Sequence, residues 1–594
     1  MLFSGKRPSL PQLKQDFTAG LTVALILIPQ SLAYAQLAGL PVTFGLYAAL
    51  IAPFIAALFG SSKQLSTGPV AILSVMTAAA LTPLAVQGTP EYIALAVVLA
   101  FCLGLFQIAL GLLRLGGLVS LLSHPVVYGF TNAAAVIIAT TQLSKFFGVT
   151  VGSSGYQYQT VLAVLRAAAT DLEIHTLIMG LCVLGTMIWL KKTQKKLPVI
   201  LISVVVYTFV SYFTGYDGSI IGTIPTGLPG LSWPQITIGT MATLAASVVT
   251  MSLIGFTESI SVAQAIAVKT KSKVHPNREL LGQGIANVVG SFFQSYPVAG
   301  SFSRTAVNYQ AGAQTEFSSL FTSFVVLIVL LFFTPYLHYL PQVVLAAIIV
   351  YSVASLLDFK KIRHIWNTSK YDAIAAILTF AATLYTAPHL ENGILLGVLF
   401  SLGHYVYRNA HPKVVFMSKY RDGSFHDSER FQLERCKNIA IVRLDAPLFF
   451  ANSAYFEEEI IDYLAKNKYV RFILIVGSGI NEVDSSGEEM LITMYETLKS
   501  AHKDLYFSDL KEQVRDVFVT TGLVEKIGKD HFFKHTKDGV QFLITRLEHA
   551  HYHRDADLCP LEKYVEADDM QRHTTKDRRD KVAYYYRRLL NFRQ

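Results

Sequence analysis

Arg304 stands in "GSFSRTAVNYQAGAQTE", with no charged residue in the 24 positions before it and none in the 11 after it. A guanidinium among Gly, Ser and Ala in an apolar chain needs compensation, and two sources are open: a bound anion or an internal carboxylate. The internal candidate is Glu258, in "SLIGFTESISVAQAIA", whose flanks 218–257 and 259–268 carry no charge. A carboxyl placed there either binds a proton near neutral pH, cancelling one negative charge as an anion crosses, or orients Arg304 and nearby hydroxyls. Gln30 and Tyr34, in "LIPQSLAYAQLAGLP", lie one turn apart on one helix face and could line a cavity. A glutamine in a span more often serves as glue between helices. Pro29 beside them frees backbone groups.

The elements that must position these residues are membrane spans. Of 594 residues, 52% are hydrophobic and 15% charged, too apolar for an ordinary soluble chain of this length. Stretches 17–62, 64–90, 92–113, 115–144, 197–216, 218–257 and 317–357 hold no Asp, Glu, Lys or Arg. A span needs about 20 apolar residues. Fourteen spans are expected, beginning near residues 17, 42, 67, 92, 122, 172, 198, 239, 280, 303, 317, 341, 371 and 392. Lys63, Arg114, Lys191, Lys192, Lys195, Lys196, Lys269, Lys271, Lys273, Arg278, Lys360, Lys361, Arg363, Arg408 and Lys413 all follow even-numbered spans. Lys145 and Arg166 are the main basic residues on the other side. Positive charge collects on the cytoplasmic face, so both termini are expected there. The first apolar run is too long for a cleavable signal, and four cysteines suggest neither a disulfide nor a metal framework.

Two spans read as short and polar: "STGPVAILSVMTAAAL" at 66–81 and "SFSRTAVNYQAGA" at 301–313. They are the third and tenth, so each is third in its half. Matched broken spans are the sequence sign of an inverted-repeat transporter, with substrate held near the midplane between half-helix N-termini. Unpaired N–H groups and the dipole favour an anion there. Close helix packing is the other use of such small residues.

These stretches resemble the SulP family of anion transporters, the sulfate permease and solute-carrier-26 group. The resemblance is carried by "PQSLAYAQLAGLPVTFGLYAALIAPFIAALFGSSKQLSTGPVAILSVM", "GFTESISVAQAIAVKTKSKVHPNRELLGQGIANVVGSFF", "GSFSRTAVNYQAGAQT" and "ENGILLGVLFSL", and runs from about residue 10 to 545. It implies an α-helical polytopic membrane protein with 14 spans in 7+7 inverted repeats, core and gate domains, elevator-like alternating access and a homodimer. The anion site it implies comprises Gln30, Tyr34, Val70, Ala71, Ser301, Phe302, Ser303 and Arg304. Glu258 matches an acidic residue tied to proton coupling in plant and bacterial sulfate carriers. Sodium-coupled bicarbonate members carry an Asp-containing pattern where this chain has "FTES". Lys63 replaces an Arg common in "GTSR" and keeps the charge.

From about residue 412 charge returns at ordinary density. "NIAIVRLDAPLFFANS" reads as a strand, a turn and a short strand. "AYFEEEIIDYLAKN" reads as helix, "VRFILIVGSGINEVDSSGEEMLITMYETLKSAH" as strand, loop and helix, and "KDLYFSDL" as strand. This small α/β domain resembles STAS domains, with "DSSG" at 484–487 as its signature loop. Related anti-sigma antagonists are phosphorylated at the position of Ser485; the other reading is that Asp484 and the serines cap a helix. The boundaries expected are 1–16 cytoplasmic N-terminus, 17–410 transporter, 411–437 linker, 438–548 STAS domain and 549–594 polar basic tail. Within the tail, "DKVAYYYRRLLNFR" has the pattern of a basic amphipathic helix.

No catalytic constellation, cofactor motif or metal-ligand spacing stands out, and "VGSGINE" lacks the Lys-Ser/Thr of a phosphate cradle. The chain reads as a non-enzyme of the cell membrane: a secondary transporter of inorganic anions, first of all a proton-coupled sulfate carrier. Bicarbonate, chloride, other oxyanions and dicarboxylates remain open as substrates, and so does anion exchange. A membrane-anchored STAS signalling protein is the reading from another class.

Overall fold

The computed structural model describes residues 8–117, 123–151, 156–193, 198–222, 225, 227–354, 356–387, 389–549 and 560–561. The amphipathic pattern in the tail lies outside the described residues. Two compact units divide the chain, Met1–Leu402 and Gly403–Gln594.

The first unit opens with α1 (Leu10–Leu37), α2 (Val42–Phe59), a two-residue strand β1 (Thr67–Gly68), α3 (Ala71–Leu81) and α4 (Pro90–Leu112). Helices α5 (His124–Thr141), α6 (Leu143–Phe147), α7 (Gln157–Asp171), α8 (Ile174–Thr193) and α9 (Val199–Thr214) follow. The same order then recurs: α10 (Ile238–Thr270), α11 (Pro276–Phe292), strand β2 (Ala299–Gly300), α12 (Phe302–Gln310) and α13 (Phe317–Ile328). Helices α14 (Gln342–Ala354), α15 (Phe359–Thr368), α16 (Lys370–Thr386) and α17 (Leu390–Ala410) complete the helical part. Seven of the described helices are long and apolar enough to cross a membrane, and α3, α9 and α14 are shorter apolar helices.

Small residues set the packing. A Cβ on Gly104 of α4 would come within 2.6 Å of the Gly284 carbonyl of α11, and one on Gly284 within 2.8 Å of the Gly104 carbonyl. The two backbones therefore touch, which is how helices gain van der Waals contact where lipid removes the hydrophobic drive. Polar groups fasten the turns. Buried Asp16 accepts the N–H groups of Gln314 and Thr315, tying α1 to the turn after α12. Buried Glu279 accepts the N–H groups of Ser61 and Ser62 and the Ser61 hydroxyl, holding the loop between α2 and β1 on α11.

The second unit holds a six-stranded sheet in the order β4-β3-β5-β6-β7-β8. Its strands are β3 (Val414–Lys419), β4 (Phe425–Asp427), β5 (Ile439–Leu444), β6 (Phe472–Val476), β7 (Asp504–Ser508) and β8 (Phe532–Phe533). β5 to β8 run parallel, and β3 is antiparallel to both of its neighbours. Side chains alternate along each strand. Ala440, Val442, Ile473 and Ile475 join a core with α18 (Ser453–Lys466), α19 (Ser485–Ser500), α20 (Glu512–Thr520) and α21 (Leu523–Ile527). Ile439, Ile441, Phe472 and Leu474 point the other way and meet α22 (Thr536–His549).

The expected linker at 411–437 is therefore corrected. Its residues supply β3 and β4, and Lys413 bonds Asp427 at 2.6 Å. The short strand expected after β5 is only a bridge, Leu448 to Val483.

Asp484 is the N-cap of α19: its carboxylate accepts Gly487 N–H at 2.8 Å and reaches the Phe450 N–H at 2.9 Å. Losing such a cap costs about 1 kcal/mol, roughly a five-fold change in local opening. Asp484→Ala is thus expected to speed amide exchange in the first turn of α19 about five-fold in the full chain. Unchanged exchange there would show that the cap carries no weight.

Candidate functional site

The two half-helices are built against each other. Thr67 pairs with Gly300 and Gly68 with Ala299, antiparallel, so the chain enters α3 and α12 from one shared strand pair. Ser301 N–H donates to the Ser66 carbonyl at 2.9 Å, and Ser66 N–H to the Thr305 hydroxyl at 3.0 Å. Helix α11 holds both strand approaches. Gln283 donates to the Thr67 hydroxyl at 2.8 Å. Asn287, one turn on, donates to the Val298 carbonyl at 3.1 Å and accepts its N–H at 2.9 Å. Helix α10 pins the crossing from another side: the Ser259 hydroxyl accepts Gly300 N–H at 2.8 Å and donates to the Gly255 carbonyl at 2.6 Å.

Gly300 has no room for a side chain. A Cβ would lie 2.8 Å from both the Ser259 hydroxyl and a Leu65 methyl. Overpacking of this kind costs about 1–3 kcal/mol. Gly300→Val is expected to lower the unfolding temperature of the purified protein and to weaken anion binding, because the strand pair must part. A variant with wild-type stability and affinity would show that the crossing does not position the site.

At the helix starts, Val70 caps α3 without any side-chain oxygen, so the first N–H groups of that helix lack a capping side chain. Ser301 caps α12, accepting the Arg304 N–H at 3.5 Å. Arg304 is 1% exposed. Its Nη1 donates to the Pro69 carbonyl at 2.8 Å, so the side chain reaches back from α12 to the residue before α3. Its Nε and Nη2 have no partner. The alternative of an internal salt bridge is not formed: among the described residues Arg304 has no ion pair with a carboxylate, and Oε2 of Glu258 is buried without a partner. Glu258 lies near enough to Arg304 for their charges to act on each other, and the neutral Tyr34 and Tyr296 hydroxyls are close by.

Gln30 and Tyr34 of α1 are both buried, at 3% and 6% exposure; Tyr34 lies near Arg304, and Gln30 Oε1 has no partner. Tyr34 lies next to Ser352 of α14. Val70, Ala71 and Ser301 are buried, whereas Phe302 and Ser303 are exposed at the first two positions of α12. Residues that sequence reasoning misses include Pro69, Tyr296, Ser74, Gln283, Asn287 and Ser259. The Tyr296 hydroxyl meets that of Ser74 at 3.2 Å, both deep in the interior. The pair Gln283 and Asn287, polar and one turn apart in "GQGIANVVG", is the one signal the sequence offers for them. Ser485 is exposed at the first position of α19, beside its Asp484 cap.

Two guanidinium nitrogens of Arg304 without a described hydrogen-bond partner stand with the uncapped start of α3 and the start of α12, and the Glu258 carboxyl lies within electrostatic reach. The chemistry of this arrangement suits a small anion with several oxygen acceptors.

The sulfate permease family profile matches residues 13–379, and the STAS domain profile matches 430–539. The chain is 34% identical over 549 residues to sulfate transporter 4.1, chloroplastic, of Arabidopsis thaliana, covering 89% of this chain and 80% of that protein. It is 30% identical over 567 residues to high affinity sulfate transporter 1 of Stylosanthes hamata, covering 90% and 84%. Among solved structures, the murine solute carrier 26 family member A9 anion transporter, inward-facing, superposes with a TM-score of 0.83 at 24% identity over 91% of this chain and 92% of that one. The transmembrane domain of the cyanobacterial bicarbonate transporter BicA gives 0.57 at 26% identity, over 67% and 99%.

Proposed function

The chain belongs to the sulfate permease family of anion transporters, and from that premise we propose that it carries sulfate inward together with protons. The observation that carries the substrate reading is Arg304, 1% exposed with two nitrogens unbonded at the paired helix starts. A buried cation without a partner costs about 2.5–3.5 kcal/mol or more in a membrane setting. A divalent oxyanion offsets that cost and accepts from Nε and Nη2 as a fork. Gln30, Tyr34, Val70, Ala71, Ser301, Phe302 and Ser303 line or close the site. Glu258 supplies the proton seat: it has an oxygen free to bind one, and it sits in the electrostatic reach of Arg304.

The transport cycle proposed is elevator-like. The part holding α3 and α12 moves against α5 to α9 and α14 to α17, in a homodimer with fourteen crossings per chain and both termini cytoplasmic in the cell membrane. A pure membrane anchor for the second unit has no use for an unpaired guanidinium at the centre of the first, which weighs against that reading.

The test is uptake of labelled sulfate into proteoliposomes of the purified chain, with and without an inward proton gradient. Saturable uptake that the gradient accelerates is the expected result. No flux of any inorganic anion would overturn the proposal. Ser485→Ala is expected to leave basal uptake within about two-fold of wild type, since the cap bonds come from Asp484 rather than Ser485. A collapse of uptake would assign Ser485 a direct role.

A further inference from the structure

Helix α15 belongs to none of the expected spans. It joins α14, a shorter apolar helix, to α16, and it contacts α16 and α5. Its sequence, "FKKIRHIWNT", separates cleanly by face. Ile362, Ile365 and Trp366 share one side; Lys360, Arg363 and His364 share the other. Ile362 and Ile365 are half-buried against the bundle, but Trp366 keeps 47% of its surface exposed, and Leu357 just ahead keeps 37%. A soluble helix has little reason to leave an indole and a leucine bare beside a row of cations.

The basic side is largely unpaired. Lys361 is engaged, with Asp358 at 3.7 Å and over the Tyr128 ring at 4.6 Å. Lys360 and Arg363, and Lys370 at the start of α16, have no carboxylate partner among the described residues. Residues 357–372 hold four Lys and Arg against two Asp, a net charge of +2 with His364 neutral.

We propose that α15 lies in the membrane surface plane and binds anionic phospholipid headgroups through Lys360, Arg363 and Lys370, with Trp366 seated at the interface. The expected spans on either side, beginning near residues 341 and 371, would hold the helix at the edge of the bilayer, so lipid is the partner that covalent continuity delivers to it. An indole prefers the headgroup level, and long cationic side chains reach from there to phosphate. Each cation near an anionic surface is worth on the order of a five-fold preference. Because α15 packs on α5 and α16, this contact anchors that part of the unit to the leaflet. The inference needs a bilayer but no particular substrate.

The test uses the full chain with Trp189 and Trp233 replaced by Phe, leaving Trp366 as its indole. Labelled-sulfate uptake serves as the control for folding. Vesicles of phosphatidylcholine and phosphatidylglycerol are prepared with one lipid or the other brominated near the headgroup, at equal mole fraction. Brominated phosphatidylglycerol is expected to quench Trp366 several-fold more strongly than brominated phosphatidylcholine. The preference should vanish in K360Q/R363Q/K370Q and persist in K360R/R363K/K370R. Equal quenching by the two lipids in the parent protein would overturn the proposal. So would a preference that survives the glutamine variant, or an indole that neither lipid quenches, which would mean that protein covers the helix. Loss of sulfate uptake with lipid quenching intact would count against the transport reading alone.

Discussion

Arg304→Ala is expected to lower sulfate affinity by about 100-fold or more while leaving the protein folded. Removing one partner from a buried, hydrogen-bonded charge pair costs about 3–5 kcal/mol, and the anion is the partner that Arg304 lacks. The sign on stability runs the other way. In the empty protein the guanidinium is buried with a single bond, to the Pro69 carbonyl. Its removal relieves an uncompensated charge, so the unfolding temperature without sulfate should hold or rise. Monovalent anions should lose less, because one charge interacts with half the strength of two. Arg304→Lys should recover little: an ammonium is a point charge and cannot present the two-nitrogen fork. Binding measured by sulfate-dependent thermal shift and by the KM of uptake would check this. Equal losses for sulfate and chloride would count against direct contact.

Glu258→Gln is expected to uncouple uptake from the proton gradient. Glutamine mimics the protonated acid in shape and charge, so the variant should bind sulfate at least as well as wild type. It cannot release and rebind a proton, however. Wild-type uptake should rise as the outside is acidified, several-fold across about two pH units, and fall toward alkaline pH as the carboxylate stays charged beside the incoming anion. The variant's uptake should be flat over that window. Its countertransport of sulfate for sulfate should survive, since exchange needs no net proton movement. A variant with the wild-type pH response would remove the coupling role and leave Glu258 as a group that orients its neighbours.

Charge isolation makes this site legible in the amino-acid sequence. Arg304 and Glu258 stand out because apolar spans leave so few other charges, and the matched short helices follow from Gly, Ser and Pro where a full span should run. What joins them is hidden. The strand pair that brings the helix starts together has two residues on each side, too short for any alternation to register. The bond that aims Arg304 goes to a backbone carbonyl, that of Pro69, and every residue offers one of those. Gln283 and Asn287 are polar in an apolar span, yet their partners lie on β1 and ahead of β2, which only folding brings near.

The same limit applies elsewhere. β3 reads as linker because its run "VVFMSK" is followed by a charged stretch, and its marks as a strand are its partners β4 and β5. Helix α15 reads as basic loop residues on the cytoplasmic side; its period-3.6 segregation spans only ten residues. Two of the residues assigned to the site, Phe302 and Ser303, are exposed rather than enclosed. Their side chains stand at the exposed start of α12.

The most direct measurement is a structure of the protein with selenate, located by its anomalous signal. The expected peak lies within hydrogen-bond reach of Arg304 Nε and Nη2, between the starts of α3 and α12. A peak elsewhere in the bundle, or Arg304 closed onto Glu258 with no room for an anion, would contradict a site built on those two helix starts.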